Sequence, residues 1–405
     1  MAMPLPIRAT QSAESAAPVP RSPRRILISA DTYPPDVNGC AVFTYRLAAG
    51  LAERGNEVHV VCQSDTGPAR TEVVDEVIVH RLRSAPMVVH PTMRVTVPTR
   101  LHRLVRSINP DVLHAQGHFV VGRAAISAAR RLGVPVVATN HFMPDNLFQF
   151  GHVPQRLRSG VGRVAWRDFN RVFDRADRLT TPTPLAARLL ADQGFKRPVE
   201  AVSCGIDLSR FQPRGEPKQW ARKLLELPNR KTVLFVGRID EEKNLDDLVR
   251  ALPIVLNETD AQVALVGRGN RTDHLRTLAR RIGVAERFFS LGYVPDGLMP
   301  QVFAAADVFA MPGIAELQSI ATLEAMASGL PVVAADAMAL PHLVDGNGFL
   351  YRPGDAVELG KRLAELLRDD ELRERSGRRS REIALTHDHQ SSLARFEAIY
   401  DEVAR

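Results

Sequence analysis

Short runs of β-branched and aliphatic residues alternate with longer amphipathic segments from Arg24 almost to the end of the chain. Alternation of this kind is typical of a parallel sheet with helices on both faces, and runs that are apolar throughout indicate strands buried on both sides. Strands are predicted at 24–30, 57–62, 77–82, 111–116, 135–140, 178–183, 199–204, 232–238, 261–267, 287–293, 307–313, 331–336 and 348–352. Helices are predicted at 41–54, 122–132, 245–256, 271–282, 319–328 and 390–403.

The rhythm occurs twice, and 405 residues suffice for two or three domains. The predicted fold class is therefore α/β, with two consecutive doubly wound domains. We place a disordered Pro-, Ala- and Ser-rich tail at 1–23, the first domain at 24–200 and the second at 201–389. The last segment, 390–405, is a helix that could pack on either domain.

Composition excludes several classes of protein. With 45% apolar and 24% charged residues, the chain is ordinary for a globular protein rather than a disordered or fibrous one. No apolar run approaches the roughly 18 residues that a membrane span needs, and 1–23 lacks the apolar stretch of a signal peptide. Three scattered cysteines indicate neither a disulfide scaffold nor a zinc cluster. We therefore expect a cytoplasmic protein.

Charge is unevenly distributed between the halves. Residues 1–200 contain 26 Lys and Arg against 16 Asp and Glu, whereas 201–405 contain 27 against 30. The basic half points to an anionic partner such as nucleic acid, anionic lipid or a phosphorylated substrate.

Ligands of doubly wound sheets bind beyond the carboxyl ends of the strands. Arg238 ends a buried strand there, and Lys243 precedes a helix. Two cations at this edge suit a diphosphate, although both could instead pair with the neighbouring acidic residues 240–242.

Two glutamates flank another helix start, which we place near Gln318 or Ser319. Glu316 lies just before the helix and Glu324 about two turns along it. Their separation of about 12 Å exceeds that of paired acid and base carboxylates, but suits two contacts on an extended ligand. The alternative is a pair of solvated glutamates.

Polar residues also follow strands of the first half. Gly39 precedes the first helix, His118 follows the strand at 111–116, and Asn140, Asp145 and Asn146 follow the next strand. A turn glycine and a capping histidine remain the simpler interpretations of Gly39 and His118.

No zinc-type spacing is present. His387 and His389 could be metal ligands, but no further ligand cluster supports them, and a solvated turn is the simpler interpretation.

Taken together, these blocks resemble the retaining glycosyltransferases of family 4, which have the GT-B architecture of two Rossmann-like domains facing across a cleft. The resemblance covers about 24–403. It implies that the last helix, 390–405, crosses back onto the N-terminal domain. Its most specific parts are PGIAELQSIATLEAMASGLPVVAAD at 312–336 and FVGRIDEEKNLDDLVRAL at 235–252, supported by SCGIDLSRFQP at 203–213 and VGRG at 266–269.

The resemblance implies a nucleotide-diphosphate sugar as co-substrate and no required metal or other cofactor. Glu316 would hold hydroxyls of the donor sugar, and Glu324 would bind the ribose. Arg238 and Lys243 would neutralise the diphosphate, and His118 would contact the sugar.

Further donor contacts follow from the same resemblance. The segment Leu317, Gln318, Ser319 and Ile320 would cradle sugar and phosphate. Leu317 and Ser319 stand where the family often has glycine. Gly39 would lie under the phosphates, and Arg268, Tyr293 and Val294 would lie near the nucleobase.

The acceptor side is predicted to be the basic half. Arg163, Arg167, Arg171 and Arg175 recur at four-residue spacing beside apolar residues. A basic amphipathic helix can lie on the anionic inner face of the cell membrane, and relatives that glycosylate lipids favour a lipid acceptor. The alternative is an ordinary helix with a buried apolar face and solvated arginines.

Two other functions remain open. One is a glycosyltransferase for a soluble small molecule. The other is a non-enzymatic protein that binds anions or nucleic acid, which the sequence disfavours because no nucleic-acid motif is present and only 6% of residues are aromatic.

Overall fold

A computed structural model describes residues 22–36, 38–87, 90–142 and 155–404. The predicted tail, 1–23, lies outside the described residues except for its last two.

The N-terminal domain is built around a sheet whose order is β10-β9-β8-β7-β1-β2-β4-β3. All pairings in it are parallel except that of β3 with β4, and β5 and β6 form a separate antiparallel hairpin. The strands are β1 Arg25–Ser29, β2 Glu57–Gln63, β3 Arg70–Val74, β4 Val77–Leu82, β5 Ser84–Met87, β6 His90–Thr96, β7 Val112–Ala115, β8 Val136–Thr139, β9 Arg178–Thr181 and β10 Val199–Ala201. The helices are α1 Gly39–Glu53, α2 Leu101–Ile108, α3 Val120–Leu132, α4 Gln155–Phe173 and α5 Pro184–Asp192.

The C-terminal domain repeats the plan with an all-parallel sheet in the order β13-β12-β11-β14-β15-β16. Its strands are β11 Lys231–Val236, β12 Ala261–Val266, β13 Phe288–Gly292, β14 Val308–Met311, β15 Val332–Ala335 and β16 Gly348–Tyr351. Its helices are α6 Lys218–Leu224, α7 Leu245–Leu256, α8 Thr272–Arg281, α9 Met299–Ala304, α10 Ile320–Ala327, α11 Ala356–Arg368 and α12 Asp370–Leu385. The prediction of two doubly wound domains is confirmed.

The last helix, α13 (His389–Val403), returns to the N-terminal domain. Leu393, Phe396, Ile399 and Tyr400 are buried in the same core as the β1 residue Ile26. The Tyr400 hydroxyl lies 2.7 Å from Nδ1 of the buried His114 on β7. The chain therefore crosses between the domains twice, near residue 205 and near residue 388, where Ile206 pairs with Asp388.

Topology fixes where a ligand can lie. In each sheet the strand order reverses beside the first strand, between β1 and β7 in one domain and between β11 and β14 in the other. Connections on the two sides of such a point run in opposite directions and leave a crevice at the carboxyl ends of the strands. The loops that follow β1, β7, β11 and β14 carry the residues singled out in the sequence.

Candidate functional site

The loops after β11 and β14 meet through an ion pair between Lys243 and Glu316. The Lys243 Nζ contacts Glu316 Oε1, and the two side chains are only 16% and 13% exposed. A backbone bond reinforces the contact, since the Ile314 amide donates to the Glu242 carbonyl at 3.0 Å. The structure thus brings together two residues that lie 73 positions apart in the sequence.

Arg238 follows β11 and pairs with acidic neighbours, as the alternative interpretation held. Its Nη1 lies 2.5 Å from Asp240 Oδ2, and its Nη2 contacts the Oε1 of the buried Glu242. These contacts hold the guanidinium at the strand end while leaving about a third of the side chain exposed (35%). Arg238 is therefore both anchored and accessible.

Close packing of backbone holds the same edge together. Gly237 and Gly267 follow β11 and β12, and both have positive φ, +154° and +136°. A Cβ built on Gly267 would lie 1.9 Å from the Gly237 carbonyl oxygen, so only glycine fits there.

The segment before α10 contacts the N-terminal domain and the crossing near residue 205 through both backbone and side-chain atoms. The Thr183 hydroxyl donates to the Leu317 carbonyl at 3.0 Å, and the Leu317 side chain is buried in the N-terminal core. Gln318 Oε1 accepts from the Cys204 amide at 2.8 Å. Leu317, where the resemblance implies glycine, thereby forms a contact between the domains.

The start of α10 lies one residue later than predicted. Ser319 is its N-cap, and its hydroxyl accepts from the Thr322 amide at 3.3 Å. The amides of the first helical residues, Ile320 and Ala321, have no partner within the helix and are suited to an anion.

Glu324 is buried in the second turn of α10, and its partner comes from the other domain. Arg46 Nη2 on α1 lies 2.7 Å from Glu324 Oε1. Burial raises the pKa of Glu324, and Arg46 opposes that shift. The interpretation of Glu324 as a solvated glutamate is wrong.

His118 lies at the carboxyl edge of the N-terminal sheet, just before α3. It is buried against aromatic rings, with centroids 4.3 Å from Phe119 and 4.9 Å from Phe169. Burial lowers its pKa to about 4, so the imidazole is neutral near pH 7. Asp31, two residues after β1, accepts from the Val121 amide at 2.8 Å and fixes the start of α3 beside His118.

Other polar residues share this edge. Gly39 is the first residue of α1, and a Cβ placed on it would have no atom within 4 Å. Asn140 is buried, and its Oδ1 accepts from the Phe142 amide at 3.1 Å. His141 Nε2 lies 2.8 Å from Gln116 Oε1. Asp145 and Asn146 lie outside the described residues.

The residues expected near a nucleobase lie at the rim of the C-terminal domain. The Arg268 guanidinium lies 5.7 Å from the ring centroid of the half-exposed Tyr293. Val294 is partly buried and packs on the C-terminal core.

Helix α4 carries exposed arginines on one side, at 163, 167 and 171. Its apolar side is not free, because Trp166, Phe169 and Phe173 are buried in the N-terminal core. Arg175 lies beyond the helix and donates to Ser127 Oγ at 2.9 Å, so it does not extend the stripe. The prediction of an apolar membrane-facing side is wrong for these aromatic residues, whereas the charged side is present.

Arg46 is a contact that sequence reasoning missed. Glu242, by contrast, carried a signal, because the acidic run 240–242 was considered as the partner of the cations. Arg46 carried none, because 278 residues separate it from Glu324.

In the described ranges, no group of three or more His, Cys, Asp or Glu side chains is arranged to hold a metal ion. No helix in these ranges is both long enough and apolar enough to cross a bilayer.

Comparison with known proteins places these features in a family. Residues 37–210 match the model described as Glycosyltransferase Family 4, and residues 230–369 match the model described as Glycosyl transferases group 1.

Individual relatives extend over most of the chain. The chain is 32% identical over 348 residues to the GDP-mannose-dependent alpha-mannosyltransferase of Mycobacterium tuberculosis, covering 82% of this chain and 87% of that protein. It is 27% identical over 335 residues to the alpha-monoglucosyldiacylglycerol synthase of Streptococcus pneumoniae, covering 80% and 74%.

Solved structures share the fold of this chain. Sucrose-phosphate synthase from Thermosynechococcus elongatus superposes with a TM-score of 0.77 at 19% identity, over 94% of this chain and 98% of that one. With its two doubly wound domains and the site loops at both switch points, the chain belongs to glycosyltransferase family 4 and has the GT-B fold.

Proposed function

We propose that this protein is a retaining hexosyltransferase that moves a hexose from a nucleoside-diphosphate sugar to an acceptor hydroxyl, with a membrane lipid as the acceptor. The observation that carries the proposal is the joining of Lys243 and Glu316 at the C-terminal switch point, next to Arg238 and the start of α10. A cation and a hydroxyl-binding carboxylate in contact suit a ligand in which phosphate and sugar are neighbours.

Cleavage of the bond between sugar and phosphate leaves negative charge on the diphosphate. Lys243, Arg238 and the amides of Ile320 and Ala321 would stabilise that charge, and preorganised groups of this kind supply a large share of catalysis. With cations and a helix start in place, the leaving group needs no metal.

His118 would contact the sugar as a neutral hydrogen-bonding group. Its pKa of about 4 argues against a role as an acid near pH 7. We propose that the leaving phosphate takes the acceptor proton, which is consistent with retention of anomeric configuration.

The names of two relatives point to mannose and glucose as the transferred sugars. The mannosyltransferase is named for its dependence on GDP-mannose, and the pneumococcal relative is named for a glucosyl lipid. GDP-mannose and UDP-glucose are therefore the first donors to test. Arg268, Tyr293 and Val294 at the rim would contact the base.

A lipid acceptor is supported by charge and by the diacylglycerol in the name of the pneumococcal relative. Exposed arginines lie on two helices that pack in the same core cluster, α2 and α4. They are Arg103, Arg106, Arg163, Arg167 and Arg171. Basic residues near an anionic membrane contribute about 1 kcal/mol each, so attraction by charge alone could hold the protein at the inner face of the membrane.

The second candidate is transfer to a soluble small molecule. The burial of Trp166, Phe169 and Phe173 favours it, because these side chains are not available for insertion into a bilayer.

A thermal-shift screen of nucleotide sugars tests the donor. A ligand that binds only the native state raises apparent stability, by about 2.7 kcal/mol at a hundredfold excess over its Kd. Stabilisation by GDP-mannose or UDP-glucose, followed by transfer of labelled hexose from that donor, supports the proposal. Absence of stabilisation by every nucleotide sugar contradicts it.

Acceptor class is tested with the stabilising donor. Labelled hexose should enter diacylglycerol in anionic vesicles, whereas transfer only to water-soluble acceptors without vesicles would establish the second candidate. An anomeric proton spectrum of the product distinguishes retention from inversion.

A further inference from the structure

Arg46 links the two domains directly at the proposed donor site. It lies on α1 of the N-terminal domain, and its Nη2 lies 2.7 Å from Oε1 of Glu324 on α10 of the C-terminal domain. The two side chains are 17% and 8% exposed. Such a pair forms only when the domains are held in this arrangement.

The guanidinium is incompletely satisfied within the described part of the chain. Arg46 Nη1 is buried and has no hydrogen-bond partner there. A buried donor without an acceptor is costly, so the site is suited to a further acceptor atom beside Glu324.

Burial would favour the neutral form of an isolated Glu324 carboxyl, and a protonated carboxyl accepts hydrogen bonds less well. Arg46 favours the carboxylate by its charge and its hydrogen bond. Arg210 also favours the carboxylate, whereas Asp296 opposes it.

We propose that Arg46 is a donor-positioning residue supplied by the opposite domain. It holds Glu324 ionised and oriented so that the carboxylate accepts hydroxyls of the donor ribose. The inference rests on the proposed role of Glu324 as the ribose ligand. Its consequence is that the domain arrangement controls ribose binding through a single side chain.

The helix offers a matched control. Arg54, the residue that caps the C-terminal end of α1, pairs with Glu397 of α13 at 2.9 Å, away from the donor loops. An Arg54→Met variant therefore removes an ion pair from the same helix without affecting Glu324.

The test measures discrimination between ribose and deoxyribose. Dissociation constants of GDP and UDP, and of their 2′-deoxy and 3′-deoxy forms, are measured by calorimetry for the wild type, Arg46→Met, Arg46→Lys and Arg54→Met. We expect the wild type and Arg54→Met to bind a ribose nucleotide at least tenfold more tightly than one of its deoxy forms. Arg46→Met should lose most of that ratio by weakening only the ribose nucleotide, and Arg46→Lys should recover part of it.

The outcomes separate this inference from the proposed function. An unchanged ratio in Arg46→Met, or an equal loss of affinity for ribose and deoxyribose nucleotides, overturns the positioning role. Failure of the wild type to bind either diphosphate overturns the proposed function itself. Glu324→Gln should lose the preference for ribose over deoxyribose nucleotides, as Arg46→Met does. A Glu324→Gln variant that keeps the wild-type preference also overturns the inference. If Arg46→Met does not fold, the Arg46→Lys variant decides the test. A ratio of ribose to deoxyribose affinity as large as that of the wild type then overturns the positioning role, and a reduced ratio supports it.

Discussion

Replacing Lys243 with alanine should abolish glycosyl transfer while the protein still folds. The ammonium group is held at the switch point by Glu316 and would face the diphosphate. Loss of one preorganised charged group from a developing anion costs about a hundredfold to a thousandfold in rate, or roughly 2.7–4 kcal/mol. We expect kcat to fall at least a hundredfold.

The same substitution has a separate effect on stability. Glu316 is only 13% exposed and would lose its ionic partner. Removing one member of a buried pair costs about 3–5 kcal/mol, and the partial exposure of both side chains reduces our expectation to about 2–3 kcal/mol. Adding Glu316→Gln removes the unpaired charge, so the double variant should regain stability without regaining transfer.

Initial rates at saturating donor and urea denaturation, measured on the same preparations, separate the two effects. Lys231→Ala is the control, because its partner Asp370 is 68% exposed and the pair lies at the other end of β11. That variant should keep its rate and lose no more than about 1 kcal/mol. Near-normal turnover in Lys243→Ala refutes the phosphate assignment, and a double variant that regains transfer refutes the separation of roles.

Three other predictions concern the anchored cation, the buried histidines and the charged face. Arg238→Met should lower kcat at least tenfold in steady-state assays. Glu242→Gln, which loosens the hold on the Arg238 guanidinium, should lower kcat by a smaller factor. Equal effects of the two variants, or no effect of either, contradict the anchoring role. Burial lowers the pKa values of His118, His141 and His387 to about 4, below the unfolded value of about 6.5, so protonation favours the unfolded chain. Stability should therefore fall as the pH drops through 6.5 towards 4, by about 2 kcal/mol per histidine at pH 5, and an unchanged urea midpoint between pH 7 and pH 5 contradicts this. Replacing Arg163, Arg167 and Arg171 together with glutamine should weaken sedimentation with anionic vesicles, and equal sedimentation of wild type and variant, or none of either, removes the membrane hypothesis.

The periodicity of apolar residues was sufficient to predict most of the strands of the two large sheets. The predicted helix at 245–256 coincides with α7, and the strand at 77–82 coincides with β4. Strand β3 was missed, because its exposed position at the sheet edge removes the apolar pattern that marks buried strands. The β5–β6 hairpin was missed as well; it lies outside both large sheets and follows no βα rhythm.

Local motifs singled out candidate site residues, but not all of the partners that those residues have in the structure. Lys243 and Glu316 could each be singled out from its place at a strand end. Their mutual contact depends on the adjacency of β11 and β14, which periodicity does not specify. Arg46 lay beyond prediction for a further reason: its partner belongs to the other domain.

Helix α4 shows that one sequence pattern can fit two different environments. Its sequence is equally compatible with a membrane-facing helix and with a core helix, because both need one apolar side. Burial of Trp166 and Phe169 removes these two rings from a membrane-facing role, and among the described side chains of α4 the arginine stripe and Val164 are exposed. Only the tertiary packing distinguishes these outcomes.

Calorimetric titration of nucleoside diphosphates and monophosphates tests the central claim most directly, namely that Lys243 and Arg238 form a diphosphate site at the C-terminal switch point. We predict that GDP or UDP binds at one site, and that Lys243→Ala weakens the diphosphate at least tenfold while leaving the affinity for the matching monophosphate nearly unchanged. Absence of binding by both diphosphates, or equal weakening of diphosphate and monophosphate, would contradict the claim.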